Sequence, residues 1–262
     1  MCKLIKKTYN KLNLLCIFVF RKKESMTKLS VNINKIATLR NSRGGNTPNL
    51  LQFAKDIQEF GAEGITIHPR PDERHIRYQD AHDLKPSIIT EYNIEGNPIP
   101  KFVDLVLKIQ PTQVTLVPDT IDALTSNAGW DTIKHKDFLT EIIAEFKQNN
   151  IRTSIFLDPE LQQVEGAKET GADRIELYTE AYAHQYDLGY KDAIKPYIEC
   201  ASLANTLGIG INAGHDLSLD NIKFFKENIP ELLEVSIGHA LISESLYLGV
   251  ENVVQMYLHR LK

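Results

Sequence analysis

Cysteine is scarce in this sequence, and the way the few cysteines are spaced narrows the class of protein. Three cysteines, Cys2, Cys16 and Cys200, are too few and too far apart for the disulfide framework of a small secreted domain. A reducing compartment is therefore the simpler interpretation. No two of the cysteines have the Cys-x-x-Cys spacing that is typical of a structural zinc site.

The sequence also lacks a strong excess of one charge and an apolar run long enough to cross a bilayer. The formal net charge is −4, without the basic excess of a nucleic-acid-binding protein. The apolar run at residues 12–20 is shorter than the roughly 20 residues that a membrane-spanning helix needs. We expect no partnership with nucleic acid or membrane.

The first 25 residues differ from the rest of the chain. Basic residues precede the apolar run, as in a signal peptide, but no Ala-x-Ala-like cleavage site follows it. We expect residues 1–25 to be an extension outside the fold, arising from a misassigned upstream start, with the protein itself beginning at Met26. A membrane-tethered form is the alternative. Residues 26–262 show no linker or break in composition, which predicts a single catalytic domain.

What the sequence has in abundance is short apolar runs, most of them separated by stretches of helical periodicity. Alternating strand and helix predicts a parallel sheet, and eight such units predict a TIM (β/α)8 barrel with extra helices. The predicted strands are residues 29–34, 64–68, 91–95, 113–117, 152–158, 174–178, 208–212 and 234–238. The predicted helices include residues 47–60, 100–109, 136–148, 181–207 and 221–228.

Polar side chains alternate with apolar ones along these predicted strands, as Ser30 and Asn32 or Asn93 and Glu95 illustrate. Successive side chains of a strand point to opposite faces, so one face meets the helices and the other lines the barrel interior. In this fold, active sites lie at the carboxyl ends of the strands. The pattern therefore predicts a polar pocket at that end.

A basic loop follows the second predicted strand and carries His68, Arg70, Arg74 and His75. Guanidinium groups bind phosphate oxygens through paired hydrogen bonds, and histidine titrates near neutral pH. The loop therefore predicts phosphate binding and proton transfer. Arg74 is equally well explained by an ion pair with the acidic residues beside it.

Two carboxylates lie in predicted strands three and six. Glu95 ends its strand in a partly apolar mouth, where a raised pKa would let it move protons at neutral pH. A salt bridge to Arg43 or Arg70 is the alternative. Glu176 is either a second acid/base group or an ion-pair partner inside the barrel.

Glycine–histidine pairs end the last two strands. His215 and Asp216 follow strand seven, and Gly238 and His239 follow strand eight. Glycine lets backbone N–H groups approach an anion closely, and a helix N-terminus favours negative charge. Because TIM barrels commonly bind phosphate in these two loops, the pairs predict a phosphate site.

The segment after the first strand and the loop after the fourth supply further candidates. Asn32 and Asn34, if both lie in strand one, share one face and contact one ligand. Lys35 suggests a Schiff base, but that chemistry needs a desolvated amine and nothing adjacent in the sequence indicates such an environment, so anion contact or a structural role is the better interpretation. Thr125 is a candidate hydroxyl donor.

At this point the motifs together resemble one family. Val-Asn-Ile-x-x-Ile-Ala-Thr-Leu-Arg-Asn-x-Arg-Gly, Gly-Ile-Thr-x-His-x-Arg, Arg-His-Ile, Asn-Ala-Gly-His and Ile-Gly-His-Ala occur in this order and are similar to pyridoxine 5′-phosphate synthases. The resemblance implies condensation of 1-deoxy-D-xylulose 5-phosphate with 3-amino-2-oxopropyl phosphate to pyridoxine 5′-phosphate, phosphate and water. It also implies no metal and no other cofactor, a cytoplasmic location and a homo-octamer.

The resemblance assigns a role to each candidate residue. It implies that His68, Glu95 and His215 are acid/base groups. It implies that the carboxylate of Glu176 stabilises the transition state. The implied contacts of the amino-ketone phosphate are Asn32, Arg43, Asp216, Gly238 and His239. The implied contacts of the deoxyxylulose phosphate are Asn34, Lys35, Arg70, His75 and Thr125.

The chain departs from the family pattern at three of these positions. Many members have Asp-His in place of Asn34-Lys35, and glycine in place of Asp216. With lysine at position 35, the contact with the deoxyxylulose phosphate would be made by a permanently positive side chain instead of a titratable one. A carboxylate at position 216 would repel a phosphate unless its side chain turned away and only the backbone N–H were used.

Other functions on the same barrel remain open from the sequence. A phosphosugar isomerase or a lysine aldolase would use the same strand ends, and a homologue that binds phosphometabolites without turnover would explain the three departures. A metallohydrolase fits less well, because strand one lacks the His-x-His pair that such barrels commonly carry.

Overall fold

The computed structural model describes residues 26–119 and 128–262, which form a closed barrel of eight parallel strands. The strands are β1 Lys28–Asn32, β2 Gly64–Ile67, β3 Glu91–Gly96, β4 Gln113–Leu116, β5 Arg152–Leu157, β6 Arg174–Tyr178, β7 Gly210–Gly214 and β8 Leu232–Ile237. Each strand pairs with its neighbours in chain order, and β8 pairs with β1. The predicted TIM barrel is confirmed. The extension predicted for residues 1–25 and the contact predicted for Thr125 lie outside the described residues.

Helices surround the barrel. They are α1 Asn34–Asn41, α2 Leu50–Glu59, α3 Tyr78–Leu84, α4 Pro100–Ile109, α5 Lys136–Gln148, α6 Leu161–Glu169, α7 Glu180–Asp187, α8 Lys195–Leu207, α9 Ile222–Asn228, α10 His239–Leu248 and α11 Val250–Arg260. Short 3₁₀ turns occur at Lys85–Ser87 and Lys191–Ile194. Within residues 26–119 and 128–262, no helix has the length and apolar character needed to cross a membrane.

The first strand ends earlier than the sequence indicated. β1 stops at Asn32, and Asn34 begins α1 instead of continuing the strand. The side chain of Asn32 accepts a hydrogen bond from the backbone N–H of Asn34 at 3.0 Å, which turns the chain into the helix. The prediction that Asn32 and Asn34 share one face of a strand is therefore wrong.

Two predicted helices also change their bounds for local reasons. The helix predicted for residues 47–60 begins at Leu50, because the Asn49 side chain accepts from the backbone N–H of Gln52 at 2.9 Å and caps it. The long helical crossover predicted for residues 181–207 contains two helices, α7 and α8, with Gly189 at a φ of 88° between them.

The two faces of the sheet have different chemistry. The helix-facing side is apolar, and Leu29, Val31, Ile65 and Ile67 are fully buried there. The interior is polar, as the alternation predicted, and its residues bond to one another across strands. Ser30–Thr66 (2.7 Å), Thr66–Asn93 (3.3 Å) and Asn93–Thr115 (3.0 Å) are hydrogen-bonded pairs in this interior. This interior network leads to the carboxyl ends of the strands.

Candidate active site

A cavity of about 620 Å³ opens at the carboxyl ends of the strands. It gathers residues from the ends of most strands, although they are far apart in the sequence. The predicted site residues that line it are Asn32, Asn34, Lys35, His68, Arg70, His75, Glu95, Glu176, His215, Asp216, Gly238 and His239. The barrel topology thus assembles acid/base groups and anion-binding groups around one volume.

His68 lies directly after β2 with its imidazole between two carboxyl groups. Its Nδ1 is 3.9 Å from Glu95 Oε2, and its Nε2 is 4.0 Å from Asp119 Oδ2. Burial, followed by the positive field of Arg70 and of two nearby histidines, lowers the pKa of His68 to about 3. The imidazole is therefore neutral at neutral pH, so these contacts are not ion pairs, and the ring is able to accept a proton.

Glu95 is buried near the end of β3, where its surroundings raise its pKa instead of lowering it. Burial raises its pKa well above the ordinary value, and the carboxyl groups of Glu176, Asp119 and Glu234 raise it further. The amide of Asn32 donates to Glu95 Oε2 at 3.3 Å. Glu95 therefore retains a proton at pH values where an exposed glutamate is ionised.

The position of Arg70 bears on whether Glu95 is an acid/base group or a salt-bridge partner. Arg70 Nη1 lies 3.1 Å from Asp119 Oδ2, so the buried ion pair here joins Arg70 to Asp119. Arg43 is exposed in the turn after α1. The raised pKa of Glu95 matches the acid/base interpretation.

Glu176 lies inside the barrel on β6. Burial and the neighbouring carboxyl group of Glu234 raise its pKa to about 8. On the far side of Glu234, Arg174 Nη1 lies 3.4 Å from Glu234 Oε2, so Arg174 partners Glu234. Glu176 therefore stands at the border between the site and the interior network.

The space that Glu176 occupies depends on Gly214, the last residue of β7. A Cβ atom at position 214 would lie 2.6 Å from Glu176 Oε1 and 2.9 Å from the backbone oxygen of Ser236. We expect Gly214→Ala to lower the free energy of unfolding by about 1–3 kcal/mol, because the backbone of β8 must move. Denaturant unfolding of Gly214→Ala and of Gly45→Ala, whose Cβ would meet nothing within 4 Å, checks this. Equal midpoints for the two variants would contradict it.

His215 follows β7 in an unusual backbone conformation. Its φ is 95°, a value that non-glycine residues rarely adopt and that costs about 1–3 kcal/mol. The ring meets Tyr178 edge to face at 5.3 Å, and its Nδ1 is 2.5 Å from Oδ2 of Asp216. Such local strain is typical of residues whose position serves a site.

Cationic side chains form one edge of the cavity. Lys35, Arg70, Arg74 and His75 line it together. Burial, then the positive charges of Arg70 and Lys35, lower the pKa of His75 to about 4, so His75 contributes as a neutral hydrogen-bonding group. Arg74 Nε is also 2.6 Å from Asp72 Oδ2, which confirms the ion-pair alternative for that residue.

A second edge of the cavity is formed by the N-terminus of α10. This helix begins at His239, and Gly238 precedes it as its N-cap. Unpaired N–H groups and the helix dipole favour an anion at such an end. A Cβ at position 238 would lie 3.1 Å from the Cβ of Asn32, so glycine allows the close approach of β8 and β1. The cavity thus has two separate edges suited to phosphate.

Comparison with known proteins agrees with this geometry. Residues 29–262 match the family described as pyridoxal phosphate biosynthesis protein PdxJ. The chain belongs to the PdxJ family. It is 73% identical over 237 residues to the pyridoxine 5′-phosphate synthase of Flavobacterium johnsoniae, covering 90% of this chain and 100% of that relative. It is 68% identical, with the same coverage, to the enzyme of that name from Christiangramia forsetii.

Solved structures similar to this PdxJ-family chain support the fold alone. Phosphoribosylanthranilate isomerase from Thermotoga maritima matches with a TM-score of 0.57 and 13% identity, over 90% of this chain and 98% of that one. The 3-keto-L-gulonate-6-phosphate decarboxylase of Vibrio cholerae matches with a TM-score of 0.61 and 9% identity, over 91% and 100%. At such low identity they carry no argument about chemistry.

For two of the residues expected from the family pattern, Arg43 and Thr125, the expected contact is untested. Arg43 is exposed beyond the end of α1, and its expected phosphate contact stays a prediction. Thr125 lies outside the described residues, so its contact also stays a prediction.

Asp119 is a charged residue beside the site that the sequence analysis did not single out. Its carboxylate is buried and contacts both Arg70 and His68 Nε2. The segment that contains it was recognised only as a binding loop after strand four. An acidic residue just beyond a strand end was the available signal, since that position lies at the active end of a barrel.

Proposed function

We propose that this PdxJ-family protein is a pyridoxine 5′-phosphate synthase. It condenses 1-deoxy-D-xylulose 5-phosphate with 3-amino-2-oxopropyl phosphate and releases pyridoxine 5′-phosphate, phosphate and water. The observation that carries the proposal is the convergence of His68, Glu95 and His215 in one cavity between two anion-binding edges. Two phosphorylated substrates and several proton transfers require this combination.

The protonation states suit a proton shuttle at the deoxyxylulose carbons. His68 starts as a neutral acceptor, because its pKa is about 3, and Glu95 starts as a donor, because its pKa is raised. The distance of 3.9 Å between His68 Nδ1 and Glu95 Oε2 lets both groups act on one substrate. Positioned acid/base groups contribute about 10²–10⁴-fold per transfer. His215, which lines the same cavity, donates to the departing oxygen.

The two phosphate groups bind at the two edges of the cavity. Lys35, Arg70 and His75 hold the deoxyxylulose phosphate, and the N-terminus of α10 at Gly238 and His239 holds the amino-ketone phosphate. Holding both substrates in one cavity raises the reaction rate because the reacting groups are kept close together. Glu176, with a pKa of about 8, stabilises charge that develops between the two substrates.

A product assay tests the proposal directly. The purified protein is incubated with both phosphorylated substrates, with and without a metal chelator, and pyridoxine 5′-phosphate and released phosphate are measured. We expect product in equal amounts in both arms, because the acid/base side chains do the proton transfers without a metal or organic cofactor. Each substrate incubated alone serves as the control and is expected to give none.

The other outcomes correspond to the alternative functions. Tight binding of a substrate analogue without product would favour the non-catalytic homologue. Covalent trapping of Lys35 by borohydride with a ketose phosphate would favour the lysine aldolase, and isomerisation of one substrate alone would favour the phosphosugar isomerase. Product that disappears with the chelator would contradict the absence of a metal.

The quaternary structure and location form a separate part of the proposal. A cytoplasmic homo-octamer is supported by the family resemblance, by the buried free thiol of Cys200 and by exposed apolar residues in the last turn of α10. Leu246 and Tyr247 are 75% and 89% exposed there. Light scattering is expected to give the mass of eight chains, and cell fractionation is expected to find the protein in the cytoplasm.

A further inference from the structure

The carboxylate of Asp216 contacts the imidazole of the residue that precedes it. Asp216 Oδ2 and His215 Nδ1 are 2.5 Å apart. Adjacent side chains in an extended strand point to opposite faces, so this contact requires a break in strand geometry. The φ of 95° at His215 is that break. The unusual backbone therefore has a specific result, which is to pair these two side chains.

Three elements hold the backbone of the pair in place. The N–H of His215 donates to the carbonyl oxygen of Ser236 on β8 at 3.4 Å. The N–H of Asp216 donates to Thr179 Oγ1 after β6 at 3.3 Å, and Asn221 Nδ2 donates to the carbonyl oxygen of Asp216 at 3.4 Å. The pair is thus built into the end of the barrel, since its backbone is bonded to both neighbouring strands or their loops.

These bonds weigh against a role for Asp216 as a phosphate ligand. Its carboxylate is engaged with an imidazole, and its backbone N–H already has Thr179 as an acceptor. A carboxylate would also repel a phosphate at short distance. The side chain therefore has a different function at this position, where many family members have glycine.

The chemistry of the contact indicates that function. A carboxylate next to Nδ1 favours the ring form that carries a proton on Nδ1 and stabilises the imidazolium. The other ring nitrogen, Nε2, is then the one that exchanges a proton with substrate. This is the arrangement by which a carboxylate orients a catalytic histidine in hydrolases.

We propose that Asp216 is a positioning residue that fixes the tautomer and stabilises the protonated form of His215, so that His215 Nε2 acts as the general acid. The proposal rests on the proposed function for the reaction itself. It gives the aspartate of this chain a role that a glycine at the same position does not supply.

Several other charged or titratable groups surround His215. His68 after β2 lies within its electrostatic influence, and Tyr178 on β6 contacts the ring. The other titratable groups nearby are those that line the cavity and those whose charge acts on Tyr178, namely Glu95, Glu176, His239, Asp119, Asp158 and Glu180. Asp216 is hydrogen-bonded to the ring itself, so its replacement tests this contact directly.

Asp216→Asn tests the proposal by kinetics. We expect kcat to fall about 10- to 100-fold. Loss of the acid group itself would lower kcat by about 10²–10⁴-fold, and the smaller effect is expected because His215 remains. KM for the amino-ketone phosphate is expected to change little. Asp216→Glu restores a carboxylate and is expected to recover part of kcat.

A matched control separates this effect from a general loss of negative charge. Asp220 lies in the same loop and is exposed, and Asp220→Asn is expected to leave kcat and the pH profile unchanged. An Asp216→Asn variant with unchanged kcat and lower KM would overturn the proposal, because it would show that Asp216 acts only by repelling the phosphate.

A spectroscopic measurement on the free protein does not depend on turnover. Long-range ¹H–¹⁵N correlation of the His215 ring in the wild-type chain is expected to show a protonated Nδ1, and in Asp216→Asn a mixture of tautomers. A wild-type ring protonated only on Nε2 would overturn the proposal even if the variant failed to fold. If the wild type showed the Nδ1–H form yet made no product, the proposed function would fail while the contact itself stood.

Discussion

Replacing His68 with asparagine is expected to lower kcat about 10²–10⁴-fold and to leave KM for both substrates within a few-fold of the wild type. The imidazole is the neutral acceptor of the site, because burial and the nearby cations lower its pKa to about 3. Asparagine fills similar space but accepts no proton at neutral pH. The substrate phosphates retain Lys35 and the N-terminus of α10, so binding persists.

Steady-state kinetics with varied concentrations of each substrate measure this split. His82→Asn is the matched control, since His82 is exposed on α3 and does not line the cavity. The low pKa of His68 adds a pH criterion. Any loss of wild-type activity between about pH 5 and 7 must belong to another group, because His68 stays neutral throughout that range. A variant with raised KM and unchanged kcat would mean that His68 binds substrate without transferring protons.

The fold was predictable because its signals are local. Each strand is a short apolar run, and each carries polar residues on alternate positions, which the barrel turns inward. α4 and α5 have the bounds predicted from periodicity, Pro100–Ile109 and Lys136–Gln148. Their apolar stripes at helical spacing leave no competing interpretation.

Local signals also explain where the prediction went wrong. Asn34 follows a strand-like alternation, yet the side chain of Asn32 bonds to its backbone N–H and begins α1. A local hydrogen bond from a side chain to the backbone competes with strand continuation, and the sequence contains the residue types for both outcomes. The same holds for Asn49, which sets the start of α2.

The site was predictable in its residues but only partly in its contacts. Strand ends identify His68, Glu95 and His215 because the fold brings those ends together. The pairing of His215 with Asp216 depends on a positive φ at His215. Glycine would indicate a positive φ from the sequence, but a histidine does not. The role of Asp119 depends on a contact with Arg70 across 49 positions of sequence, which only the folded chain reveals.

Burial of several acids in one barrel explains why the site is poised near neutral pH. Glu95, Glu176 and Glu234 each have a raised pKa, and each is raised in part by another carboxyl group. Such a cluster is costly to ionise completely, so protons remain within it at neutral pH. The interior network therefore influences the chemistry of the cavity as well as filling the barrel.

Glu95→Gln is expected to lower kcat about 10²–10⁴-fold and, in the same protein, to raise the free energy of unfolding at neutral pH. Glutamine keeps the shape of the side chain and an oxygen that accepts from the Asn32 amide. It cannot exchange a proton with substrate, which accounts for the loss of turnover. It also needs no proton uptake on folding, whereas the wild-type glutamate is ionised in the unfolded chain and must be protonated to be buried, which accounts for the gain in stability.

The sign of the stability effect depends on pH. Above the ordinary pKa, near 4.5, the unfolded chain ionises Glu95 while the folded protein keeps it protonated. Protons are then bound more by the native state, so wild-type stability falls as pH rises through this range. Glu95→Gln removes that loss, so its advantage in Tm is expected to be absent at about pH 4.5 and to grow toward pH 8. Each 1 kcal/mol corresponds to about 2–4 °C in a chain of this size.

Thermal unfolding of both proteins across this pH range measures the effect. Glu145→Gln, at an exposed position on α5, is the matched control and is expected to change neither kcat nor the pH dependence of Tm. A Glu95→Gln variant that is less stable than the wild type at pH 8 would mean that Glu95 is ionised in the folded protein. The carboxylate would then be the initial base of the site, and the direction of the first proton transfer would be reversed.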